Sequence, residues 1–139
     1  SRHARWYVEG SQTKGGSMNG DAMTSTIPDS TFVEVAHTPW QATRFAGIEW
    51  KILMEDKATG MFTALMRWAP GARLPEHEHA ALEQTYVLEG SFADDDGVCT
   101  AGNFVWRRKG SRHDAWTEEG CLMLAFFLKP NMFLDGPAR

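Results

Sequence analysis

The stretch LPEHEHAALEQ, residues 74–84, carries two histidines one residue apart and a glutamate four residues after the second. Two backbones fit it. As a helix, Pro75 occupies the first turn, the run is rich in good helix formers, and His79 and Glu83 share a face as an i, i+4 pair. As a strand, His77 and His79 leave the same face because side chains alternate. A short link then turns the chain back, and Glu83 opens an antiparallel neighbour aimed at the same spot. The strand reading explains more. Imidazole suits zinc, iron, nickel and copper, and one carboxylate adds a hard oxygen. A third histidine, His113, follows a glycine turn in GNFVWRRKGSRH. Of the five histidines, these three fall where they can converge. His3 and His37 have no spaced partner and read as surface or incidental positions.

The sequence on either side supports strands. TFVEV (31–35) alternates apolar and polar residues, and IEWKILME (48–55) does so in part. MFTALMRW (61–68) is a longer apolar run that stops at Pro70-Gly71. TYVLEG (85–90), NFVWR (103–107) and CLMLAFFL (121–128) are aromatic or β-branched runs bounded by turn residues. Glycines recur at roughly ten-residue spacing from Gly60 to Gly120, as turns do in a sandwich or barrel. DDDG (94–97) reads as a hairpin turn that tolerates left-handed backbone. The expectation is an all-β domain. The run 121–128 shows little alternation and is expected to be buried on both faces, between the core and a dimer interface. Residues 1–27, rich in Gly, Ser and Thr, read as an N-terminal tail, linker or ordered arm ahead of a domain spanning 28–139. Met18 and Met23 each offer a natural start.

Composition narrows the function classes. The chain has 139 residues, one domain's worth, and 42% are hydrophobic. Fourteen basic residues against 18 acids give a net charge of -4, which argues against a nucleic-acid or anionic-membrane surface. The run Arg107-Arg108-Lys109 reads as a solvated turn. The longest apolar run is far short of the about 20 residues a membrane helix needs. Cys99 and Cys121 have no CxxC spacing and read as unpaired, so a reducing, cytoplasmic setting is expected.

Two spaced patterns then stand out. The first runs Gly71, five residues, His77-Glu78-His79, three residues, Glu83, six residues, Gly90. The second runs Gly102, five residues, Arg108-Lys109-Gly110, two residues, His113, three residues, Thr117. Together they resemble the two motifs of the cupin superfamily. The first matches at every fixed position. In the second, Arg108 stands where cupins have proline and Thr117 where they have asparagine. LEQTYVLEGSFADDDG and AGNFVWRRKGSRHDAW are most similar to the ChrR-like cupins, and the likeness covers roughly 28–130.

The resemblance implies a small jelly-roll barrel. It implies one divalent metal per chain on His77, His79, Glu83 and His113, with Fe(II) favoured, then Zn(II), and Mn or Ni as further options. It implies a non-haem dioxygenase that uses O2 to cleave a carbon–carbon bond in a small dicarbonyl or hydroxyketone. The alternative is a zinc-holding sensing module like the ChrR anti-sigma factor. Such regulators carry a helical sigma-binding domain, and nothing in 1–27 is amphipathic enough to supply one, which favours the enzyme. A homodimer is also implied. Thr85 and Val87 share Glu83's face and are expected to line the pocket, with Gln84 on the opposite face. Phe104 and Trp106 are expected to point inward too. Glu78, Arg112 and Asp114 should face away from the metal, and Asp114 is a conceivable partner for Arg107.

Overall fold

A computed structural model describes residues 28–134. The expectations for residues 1–27 lie outside the described residues, and so do those for 135–139. Of the described residues, those from Phe32 to Leu134 belong to one compact unit. It opens with a 3-10 turn, Val35–His37, and continues as ten strands: β1 (Gln41–Ala42), β2 (Ile48–Asp56), β3 (Met61–Trp68), β4 (Arg73–Glu78), β5 (Glu83–Asp94), β6 (Gly97–Thr100), β7 (Phe104–Arg107), β8 (Arg112–Trp116), β9 (Cys121–Phe127) and β10 (Met132–Phe133). All pairings are antiparallel. The sheet order is β1-β2-β3-β9-β5-β8-β4-β10, with β6 and β7 also on β5. The all-β jelly-roll expectation holds, and 74–84 is strand, link and strand rather than helix.

Strand β5 is the spine. Its first half pairs with β9 and β7, and its second half pairs with β6 and β8, so one strand joins both leaves of the curled sheet. The bend falls at Gly90. There φ is +70°, and a Cβ would sit 2.0 Å from the Gly120 carbonyl oxygen. Only glycine permits that backbone and that approach. The last fixed residue of the first motif is therefore a joint between leaves.

Register decides which side chains enter the barrel. Across the sheet, Met66 lies opposite Met123 and Met123 opposite Val87; Phe62 lies opposite Phe127, and Phe127 opposite Glu83. Met66, Met123, Val87 and Phe127 are core residues, together with Ile48, Trp68 and Phe92. Phe62 and Phe127 stack with centroids 4.5 Å apart.

Four local expectations change. TFVEV forms no strand: Phe32 is exposed, the edge of β2 is taken by Gln41–Ala42, and the Val35 carbonyl accepts a 2.7 Å hydrogen bond from Lys51 Nζ. DDDG does make a two-residue hairpin, with Asp94 opposite Gly97, but no non-glycine residue among those described has positive φ. The turn is held instead by the Asp96 N–H donating to Asp94 Oδ1 at 2.9 Å. β9 is not buried on both faces in the single chain. Cys121, Met123, Ala125 and Phe127 are inside, while Phe126 is 40% exposed. Finally, Phe104 and Trp106 point outward, 50% and 62% exposed. The reason is register: Trp106 lies opposite Gln84 and Phe104 opposite Tyr86, whereas Arg107 and Val105 lie opposite the inward-facing Glu83 and Thr85.

Candidate metal centre

His77 on β4 lies directly opposite His113 on β8. The pairing puts both rings on the inner face, 4.6 Å apart by centroid. His79 lies one residue beyond β4. It is fixed by its own backbone, whose N–H donates to the Ser111 carbonyl at 2.9 Å and whose carbonyl accepts from Gly110 at 2.8 Å. The Arg108–Ser111 turn of the second motif thus clamps the last histidine of the first. That turn closes without proline, because the Ser111 hydroxyl donates to the Arg108 carbonyl at 2.7 Å. Thr117, in the asparagine position, donates to the Ser91 carbonyl at 2.6 Å and accepts from the Gly120 N–H at 2.9 Å. Both departures from the motif pattern are filled by working hydrogen bonds.

The Nε2 atoms converge: His79 to His113 is 2.9 Å, and His113 to His77 is 3.1 Å. Between His77 and His113 this is not a satisfying hydrogen bond, because each of those rings' other nitrogen is already committed. His77 Nδ1 donates to the Pro75 carbonyl at 2.8 Å. His113 Nδ1 donates to Asp94 Oδ2 at 2.8 Å. His79 Nδ1 lies 2.6 Å from Glu83 Oε2, off-axis for a hydrogen bond, and neither atom has another partner. With tautomers assigned from these partners, the bare Nε2 lone pairs of His77 and His113 face one another beside His79. A divalent cation resolves that arrangement, and three neutral imidazoles fit one. Burial, the largest influence, lowers the pKa of His77 to about 4 and also lowers that of His113, so both rings are neutral at physiological pH.

His77, His79 and His113 form a cluster able to hold a metal ion. Glu83, expected in the ligand set, places its carboxylate 2.6 Å from Nδ1 of the His79 ring. Burial pushes its pKa up, but the contact with His79 and the charge of Arg107 outweigh this and hold it below its ordinary value.

Two further site residues escaped sequence reasoning. Asp94 Oδ2 accepts from His113 Nδ1 and also from Arg107, at 3.1 Å from Nε and 2.7 Å from Nη2. Burial raises the Asp94 pKa, yet these hydrogen bonds overcome it and hold the carboxylate at about 2. This is the carboxylate–histidine–metal pattern, in which an acid fixes the ring's tautomer and direction. Arg107 is therefore not part of a solvated turn, and its partner is Asp94. Asp114 instead pairs with Arg73 on the outer face, and Glu78 pairs with Arg112 at 3.0 Å. Asp94 lies in a run of three acids, with nothing in the sequence to separate it from its solvated neighbours.

His77, Glu83, Arg107 and His113 open onto a cavity of about 380 Å³ whose remaining wall is mostly aromatic and aliphatic, including Trp50, Phe62 and Phe127. Thr85 and Val87 are fully buried and do not line it. Phe104 and Trp106 border a separate groove of about 500 Å³ on the other side of β7, and His113 and Arg107 stand in the wall common to both.

The ChrR Cupin-like domain family matches the chain over residues 28–130. No curated protein matches. Among solved structures, an acetylacetone dioxygenase from Acinetobacter johnsonii is similar at 19% identity and TM-score 0.71, covering 83% of this chain and 85% of that one. The polyketide cyclase RemF from Streptomyces resistomycificus is similar at 18% identity and TM-score 0.64, covering 78% and 87%. Rhodobacter sphaeroides SigE in complex with the anti-sigma ChrR is similar at 26% identity and TM-score 0.58, covering 67% of this chain and 50% of that one.

Proposed function

The chain belongs to the ChrR Cupin-like domain family, and from that premise we propose that it is a metal-dependent dioxygenase cleaving a carbon–carbon bond in a small dicarbonyl or hydroxyketone. The observation that carries this reading is the opening of the three-histidine cluster, through His77 and His113, onto a largely apolar cavity. A metal held only for structure needs no substrate-sized chamber beside it.

The reaction is R–CO–CH2–CO–R′ plus O2 giving R–COOH and R′–CO–CHO, with both oxygen atoms retained in the products. A divalent ion on His77, His79 and His113 would supply Lewis acidity and, as iron(II), the electrons that dioxygen requires. Imidazole ligands would leave the ion's charge uncancelled and facing the substrate carbonyls. Asp94 holds His113 by Nδ1, and Glu83 stands behind His79. Arg107 spends Nε and Nη2 on Asp94 and keeps its remaining N–H groups for negative charge on the substrate. The aromatic wall keeps water from the reacting carbon. Iron is the favoured metal, with zinc next and manganese or nickel after them. The setting is the cytoplasm, in keeping with two free cysteines. Among the described residues no helix is long and apolar enough to cross a membrane.

The same reading includes a homodimer. The outer face of β9, β5 and β7 carries Phe126 beside Gln84 and Trp106 in one row, and Leu124 beside Tyr86 and Phe104 in the next. Neither row holds a charge, so a second copy can cover both without burying one. The change Trp106→Glu is expected to shift the molar mass in light scattering from dimer to monomer; a wild-type monomer at micromolar concentration refutes the dimer.

The decisive test is metal content of protein purified without chelators, followed by oxygen uptake with diketones and hydroxyacetophenones. Stoichiometric iron and iron-dependent uptake are expected. Tightly held zinc and silence across that panel would instead favour a sensing module, in line with the likeness to ChrR.

A further inference from the structure

The cavity has a second end. Its lining includes exposed Ala42, Arg44 and Pro130, which mark where it meets solvent. Among the described residues Arg44 is the only cation there. Its guanidinium carbon lies 4.6 Å from the ring centre of Phe45 and 4.6 Å from that of Phe133. Those two rings are 4.8 Å apart, so the arginine rests on an aromatic pair that limits its motion. Phe133 in turn lies 5.4 Å from the His77 ring. A single phenyl ring therefore separates the metal cluster from a held cation.

Charge along this path is one-sided. Of the described residues lining the cavity, Glu83 alone is acidic, and it is engaged behind His79. Arg107, the other lining cation, is committed to Asp94. Arg44 forms no ion pair with any described carboxylate. Guanidinium binds carboxylate bidentately, and one already placed on aromatic rings loses little freedom in doing so. The lining also holds Ile48, Trp50, Phe62 and Phe127, which suit a flat apolar body.

We propose that Arg44 is the specificity residue of this cavity: the substrate is an aromatic or long-chain ketone whose carbonyl end lies at the three histidines and whose far end is a carboxylate bound by Arg44. This rests on the dioxygenase reading for the identity of the reacting end, and it adds the anionic tail.

The test uses the full chain loaded with zinc, so that ligands bind without turnover. Benzoylacetone and 4-carboxybenzoylacetone differ only by the tail, and tryptophan fluorescence reports their dissociation constants. Wild type is expected to prefer the carboxylated probe roughly tenfold, as a charge-assisted contact in a partly enclosed site would give. Arg44→Gln should bring that ratio close to one, and Arg44→Lys should restore part of it. Equal affinities in wild type, a preference that survives in Arg44→Gln, or failure of both probes to bind overturns the proposal. The iron form separates the two readings. Oxygen uptake with benzoylacetone but no preference for the carboxylated probe leaves the dioxygenase standing and Arg44 without a role. A clear preference without uptake leaves Arg44 as an anion-binding residue in a protein of other chemistry.

Discussion

Across the cavity two walls face each other. β2, β3 and β9 present Ile48, Trp50, Met66 and Phe127, while β4 and β8 present His77 and His113. Both follow the same two-residue alternation. They differ in what stands behind each inward residue. An apolar side chain needs only neighbours of suitable volume, and several residues supply them at once. A histidine ligand needs one acceptor at one atom: the Pro75 carbonyl for His77 and the Asp94 carboxylate for His113. One wall is therefore tolerant and distributes its energy. The other depends on single contacts between distant parts of the chain.

That contrast can be broken most directly at His113. Replacing it with alanine removes a third of the donor set, and metal binding is expected to disappear in equilibrium dialysis while the far-ultraviolet circular dichroism stays that of a β protein. Retention of full occupancy would mean the ion sits elsewhere. On the opposite wall, Phe127→Ala should cost about 3–5 kcal/mol in denaturant unfolding, as buried aromatic truncations do, and leave one metal per folded chain. If it also emptied the metal site, the two walls would not be separable. Asp94→Asn sharpens the comparison from the chemical side: a weakening of metal affinity by about 10–100-fold is expected, as for other acids that orient a ligand histidine. An unchanged affinity would reduce Asp94 to a turn residue. The smallest effect concerns Cys121, packed against the apolar wall. Burial raises its thiol pKa from 9.0 to about 12, so iodoacetamide at pH 8 should leave it untouched in folded protein and label it on unfolding. The sign follows: the raised folded value favours the protonated thiol, so its contribution to stability is intact below pH 9.0 and is lost as pH climbs towards about 12.

Legibility in the sequence followed the same division. The strands MFTALMRW and TYVLEG, the glycine at the joint and the three histidines were all readable, because periodicity and spacing are local. TFVEV misled because alternation says nothing about whether a sheet edge is free, and β1 already occupies that of β2. Phe104 and Trp106 misled because hydrophobicity does not reveal which of two alternating sets faces inward; register with Glu83 and Thr85 decides it, and it brings Arg107 inside. Glu83 was recognised as a site residue, but which edge of the His79 ring it meets depends on how tightly the 80–82 link turns. Asp94 was invisible because its importance comes from Arg107 and His113, 13 and 19 residues away.

Asp94 carries a last consequence. Its Oδ1 closes the two-residue hairpin through Asp96, while its Oδ2 holds His113 and Arg107. One side chain is thus both a bend and a bracket, and the chain cannot vary one role independently of the other. Loop length, usually the freest variable in a β domain, is locked at this tip. Over generations of sequence drift, insertions should accumulate at the Lys57–Gly60 turn, where Asp56 Oδ1 accepts only the Ala58 N–H, and be purged between Asp94 and Gly97. A turn on the rim of the molecule would then change as slowly as its metal ligands.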